Sequence, residues 1–155
     1  TLLLVFVCHL GYAQGINGLF NEFGSEKNAD CVKVSSFMMS LGKMFAGHDE
    51  DAKIIRKIKS IKVLDLESCT ASVKERFNKK VNKLNLKGYD ELMRVNDEGE
   101  KVRVLMKTKK ETIRELLFVC TGKEDCTLVQ INGKFTKDDI DKLVNQETGK
   151  KHGRR

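Results

Sequence analysis

From Glu91 the period of the sequence changes to two, and this change constrains the fold more than any other feature of the chain. Val102, Val104 and Met106 fall on one face of a strand, and Lys101, Arg103 and Lys107 on the other. Leu92 to Val95 precedes this run across the turn Asn96-Asp97-Glu98-Gly99, and Ile113 to Cys120 and Thr127 to Asn132 follow it. The connections are short and polar. Consecutive strands then pair with their neighbours, which predicts a C-terminal four-strand antiparallel meander.

Upstream the period is helical. Ile16, Leu19, Phe20 and Phe23 share one face of a helix that ends at Gly24, and Asp30 to Ser35 alternates like a strand. Ser36 can cap a helix with Phe37, Met38, Leu41, Met44 and Phe45 on one face, stopping at Gly47, and residues 52 to 58 form a helical turn. Ile61 to Leu66 is apolar on both faces, as in a central strand covered on both sides. Ser72-Val73-Lys74-Glu75 has the form of a capping box. It opens a helix with Val73, Phe77, Val81 and Leu84 inward and Lys74, Lys79, Lys80 and Lys83 outward. Thr136-Lys137-Asp138-Asp139 caps a last helix that packs through Ile140, Leu143 and Val144. This order of elements predicts an α+β domain with a mixed or antiparallel sheet and helices mainly on one face.

Ahead of the domain, Leu2 to Leu10 is apolar and runs into Gly11-Tyr12-Ala13-Gln14, with small residues at alternate positions. This reads as the back half of a secretory signal peptide, without its basic n-region. The expected organisation is a leader over residues 1–13, one α+β domain over 14–148 and a basic disordered tail over 149–155, with the mature chain starting at Gln14. The apolar run is about half of the ~18 residues that a membrane anchor needs, so no transmembrane segment is expected in the mature chain. Export carries the remaining cysteines into an oxidising compartment, where thiols tend to pair. Cys120 and Cys126 flank a turn between two strands and are candidates for one disulfide; Cys31 and Cys69 are candidates for a second. Buried free thiols are the alternative.

The formal net charge is +7, and the tail Gly149 to Arg155 holds four Lys and Arg with no acidic residue. Such a tail solubilises, or touches anionic lipid, polysaccharide or protein weakly. Nucleic acid is not an expected partner, because export argues against it and a chain with 6% aromatic residues lacks stacking platforms. Within the domain, Arg94, Lys101, Arg103, Lys107 and Arg114 fall opposite many of the apolar positions of the meander. Arginines on an open sheet face can bind carboxylate or phosphate groups bidentately; the alternative is a solvated face whose charges discourage aggregation.

Catalytic and metal signatures are missing from the sequence. His48 with Asp49 and Asp51 reads as a polar loop, and Asp138, Asp139 and Asp141 read as helix capping. Thr121-Gly122-Lys123 and Thr148-Gly149-Lys150 lack the spacing of a phosphate loop, and Asp65 and Glu67 are exposed carboxylates at a strand end. No catalytic residue, metal ligand or cofactor is assigned.

Gly88 to Lys107, Ile113 to Val119 and Ile131 to Leu143, with Ile16 to Phe23 and Val32 to Phe45, resemble the secreted Bacteroidota family catalogued as domain of unknown function 4252. The resemblance implies an exported protein of a Gram-negative cell envelope, with no assigned activity and no functional residues to carry over. The expectation is a periplasmic or envelope protein that binds an envelope protein or an anionic envelope component. The alternatives are a carrier of anionic lipid, polysaccharide or small ligand, and behind that a hydrolase or thiol enzyme.

Overall fold

Helix α1 (Ile16–Phe23) forms where the sequence repeats its apolar residues at helical spacing, and it buries Ile16, Leu19, Phe20 and Phe23. The computed structural model describes residues 15–35 and 50–142. The expected leader, the helix expected from Ser36 and the basic tail lie outside the described residues. After α1 come β1 (Asp30–Val34), α2 (Glu50–Lys57), β2 (Ile58–Asp65), α3 (Ala71–Asn82), β3 (Asp90–Asp97), β4 (Glu100–Lys109), β5 (Thr112–Thr121) and β6 (Thr127–Phe135). Residues 137–142 are helical.

The strands form one six-stranded sheet in the order β1-β2-β6-β5-β4-β3, and every neighbouring pair is antiparallel. The α+β class and the C-terminal meander therefore stand, and of the two sheet types expected the antiparallel one is realised. β2 lies between β1 and β6, so the first half of the chain joins the sheet through its last strand.

Alternation along the strands divides the apolar residues between two faces. On one face Leu64, Leu105, Leu117, Val119 and Leu128 meet α1 and the Phe77 and Val81 side of α3. Phe23 and Phe77 join the helices edge to face, with ring centroids 5.3 Å apart. On the other face an apolar row crosses all six strands, Met93 beside Val104, Phe118, Val129, Val63 and Val32. A second cluster, Ile113, Leu116 and Phe135 with Ile54 of α2 and Ile140, covers one end of the sheet. Leu116 alternates with Leu117, which places this cluster on the face opposite α1 and α3.

Two details of α3 differ from expectation. The N-cap is Thr70, whose hydroxyl accepts from the Val73 backbone at 3.4 Å, so the helix starts ahead of Ser72. Lys74, expected outward, is buried: its stem packs inward and its ammonium donates to the Glu124 carbonyl at 2.8 Å. The last cap is as the sequence predicts. Thr136 N–H donates to Asp139 Oδ2 at 2.7 Å, and Asp139 N–H donates to Thr136 Oγ1 at 3.3 Å.

Candidate functional site

β3 is the last strand of the sheet and all eight of its residues are exposed. Its pairing with β4 is irregular: Glu91 lies opposite Leu105 and Met93 opposite Val104, leaving Leu92 without a partner in β4. This bulge inserts one residue and resets the alternation of the strand. Glu91 thereby reaches the same face as Arg94 and Arg103, which are themselves paired across the strands.

The consequence is a three-residue ion cluster. Arg94 donates through Nε and Nη2 to the two carboxylate oxygens of Glu91 at 2.8 and 2.9 Å, and Arg103 Nε donates to Oε2 at 2.7 Å. Hydrogen bonds from Arg94 and then Arg103 hold the Glu91 carboxyl down to about 2. The guanidinium forks expected to meet an external anion are thus engaged by a carboxylate of the same sheet. Beside the cluster the strand exposes three large apolar side chains, Leu92 at 41%, Met93 at 48% and Val95 at 45%. Nowhere else among the described residues do three such side chains lie within four positions of one another.

The other basic candidates are dispersed. Lys107 places its ammonium 5.4 Å from the centre of the Tyr89 ring. Tyr89 in turn donates to Glu115 Oε1 at 2.5 Å, and Gln130 Nε2 donates to the same oxygen at 2.9 Å. Burial, and then the Glu115 carboxylate, push the Tyr89 phenol above its ordinary range. Arg114 falls at the irregularity between Ile113 and Glu115, and its Nε is buried with no hydrogen-bond partner among the described residues. Lys101 borders an open cleft of about 170 Å³ with Asn78, Asn82, Thr121 and Lys123. In the adjoining loop Glu100 Oε1 accepts from the backbone N–H groups of Lys123 and Glu124 at 3.0 and 3.3 Å, above the α-carbon of Gly122.

All four described cysteines are free thiols. Cys126 is fully buried in the core, with Sγ 3.3 Å from both the Gly122 carbonyl and Asn78 Oδ1. Cys120 lies beside Val102 and Thr127, with its Sγ 3.8 Å from the Asp125 carbonyl. Cys69 donates to the Lys27 carbonyl at 3.5 Å, and Cys31 packs against the same core cluster. Burial is the largest influence on Cys69, Cys120 and Cys126 and raises all three thiols.

Asp65 Oδ1 accepts from the Glu67 backbone at 2.8 Å and closes the turn after β2. His48, Asp49 and the tail lie outside the described residues. Among the described residues no group of three or more His, Cys, Asp or Glu is placed to hold a metal ion, and no helix is long and apolar enough to cross a membrane. Sequence reasoning passed over Glu91, because regular alternation puts it on the face away from Arg94. It also passed over the Tyr89, Glu115 and Gln130 network, which joins residues far apart in the chain.

A family model described as "Domain of unknown function (DUF4252)" matches residues 23–143. No curated protein and no solved structure matches the chain.

Proposed function

The chain belongs to the family described as domain of unknown function DUF4252, and from that premise we propose that it is an exported cell-envelope protein acting as a non-catalytic interaction module. The apolar leader, with small residues at Gly11 and Ala13, supports export to the periplasm or envelope of a Gram-negative bacterium. The observation that carries the interaction reading is β3, an edge strand exposed along its whole length that presents Leu92, Met93 and Val95 to solvent. An exposed apolar edge is a template for pairing with another chain.

Two measurements test the reading. N-terminal sequencing of the protein recovered from its own envelope is expected to start at Gln14; a chain that retains residues 1–13 refutes cleavage. A photo-crosslinking side chain at Val95 is expected to capture protein in the envelope, while the same group at Lys79, exposed on α3, is not. Equal capture from both positions removes β3 as the contact surface.

A second reading, binding of a small anion, has one observation in its favour: Lys101 and Lys123 border the same open cleft. Here the expected result is that phosphate shifts the amide resonances of residues 121–124 and that replacing Lys101 with Gln abolishes the shift. Unchanged resonances in phosphate dismiss this reading.

A further inference from the structure

The β3 edge is self-complementary because of its bulge. Two copies of one regular strand, paired antiparallel about a two-fold axis, bring residues of the same face opposite each other only when the paired positions are an even number apart. Glu91 and Arg94 are an odd number apart, yet they share a face, since the unpaired Leu92 between them resets the alternation. A second β3 can therefore lie antiparallel with Glu91 opposite the partner's Arg94, a register that sets the bulge residue Leu92 against the partner's Met93 at the two-fold axis. By two-fold symmetry each charge pair and each apolar pair occurs twice. In the same register Asp90 lies opposite the partner's Val95, two residues that face the same side of the sheet, as their β4 partners Met106 and Val102 do.

We propose that the partner of this surface is a second copy of the chain, joined edge to edge through β3 so that two six-stranded sheets become one continuous antiparallel sheet. The inference rests on the interaction reading above and names its partner. Three observations support it. β3 has β4 as its one neighbour in the sheet, leaving its outer row of backbone donors and acceptors unpaired by any described strand. The exposed Leu92, Met93 and Val95 lie where the two strands meet. The charges at positions 91 and 94 are of opposite sign and at exchangeable places. A bulge normally guards an edge; here it brings the complementary charges onto one face.

The test is analytical ultracentrifugation of the purified protein across a concentration series. Wild type is expected to dimerise, and Glu91→Arg and Arg94→Glu, which each place like charges opposite one another twice per dimer, are expected to weaken dimerisation at least about tenfold. Mixing these two variants restores complementarity: the arginine introduced at position 91 of one chain meets the glutamate introduced at position 94 of the other, and the unaltered Arg94 of the first meets the unaltered Glu91 of the second. A heterodimer from two chains that do not self-associate is a result that an ion cluster within one chain cannot produce. Val95→Lys, at an exposed position, serves as a second disrupting variant, and circular dichroism confirms that each variant is folded.

A wild type that stays monomeric, a dimer indifferent to all three substitutions, or a mixture that does not associate overturns the proposal. A monomeric wild type leaves the interaction reading to the crosslinking at Val95, so the two fail separately.

Discussion

Phe77 is the residue on which α1, α3 and the sheet converge, and shortening it tests the account of the core most directly. Its side chain is fully buried and its ring meets Phe23 at an interplanar angle of 89°. Truncation to alanine forfeits roughly 2–3 kcal/mol of apolar transfer. Three elements frame the site and cannot collapse into it together, so the residual cavity brings the cost to about 3–5 kcal/mol. That is a large share of the roughly 5–15 kcal/mol by which domains are stable. Phe77→Leu is the more informative change. It keeps most of the volume, loses the edge contact, and is expected to cost about 1–2 kcal/mol. In a double-mutant cycle with Phe23→Leu, the coupling isolates the ring pair and is expected at about 0.5–1.5 kcal/mol. Urea unfolding followed by circular dichroism measures both quantities, with the slope against urea unchanged. A Phe77→Leu midpoint equal to wild type, or a coupling of zero, refutes the packing of α1 on α3 described above.

Gly122→Ala drives a Cβ into the Glu100 carboxylate. Displacing that flexible carboxylate from two exposed backbone N–H groups is expected to cost about 0.5–1.5 kcal/mol in urea unfolding, and a neutral result shows that Glu100 does not anchor the loop. Burial alone raises the Asp139 carboxyl, but Lys57 and Thr136 together hold it below its ordinary value. Its contribution is therefore present above the ordinary carboxylate value of about 3.9 and lost as pH falls through the lower folded value. Asp139→Asn is expected to cost about 1–2 kcal/mol at neutral pH. The gap to wild type should close in acid, and a gap of constant size at pH 6 and pH 3 contradicts the ion pair. In native thiol titration Cys126, with no exposed surface, is expected to react only on unfolding; rapid labelling at neutral pH means that the 121–126 loop opens.

Much of the sheet was legible because its strands show as short apolar-rich runs between polar turns; alternation alone did not tell which face is covered, since Leu105, on the face of Arg103, is more buried than Val102, Val104 or Met106. Val102, Val104 and Met106 lie on the predicted strand, and Thr136 and Asp139 cap the predicted helix. The errors arise where a local rule has two solutions or a distant group decides. Thr70 and Ser72 are both good caps, and the hydroxyl that reaches the Val73 N–H sets the start of α3. Lys74 reads as a solvent residue until Glu124, fifty positions away in sequence, offers its carbonyl. The bulge at Leu92 leaves no mark in the sequence. Without it, Arg94 and Arg103 read as free cations; with it, Glu91 lies between them.

The pairing of β2 with β6 governs the order in which this chain can fold. About 70 residues separate Ile61 from Ile131, which face each other across those strands. Closing so long a loop costs entropy that the local hairpins of β3 to β6 do not bear. The meander is therefore expected to form first, with the first half of the chain docking onto it later. During synthesis the β1–β2 pair has no meander strand to join until Thr127 to Phe135 has been made. A chain truncated before Thr127 is expected to show no cooperative unfolding transition.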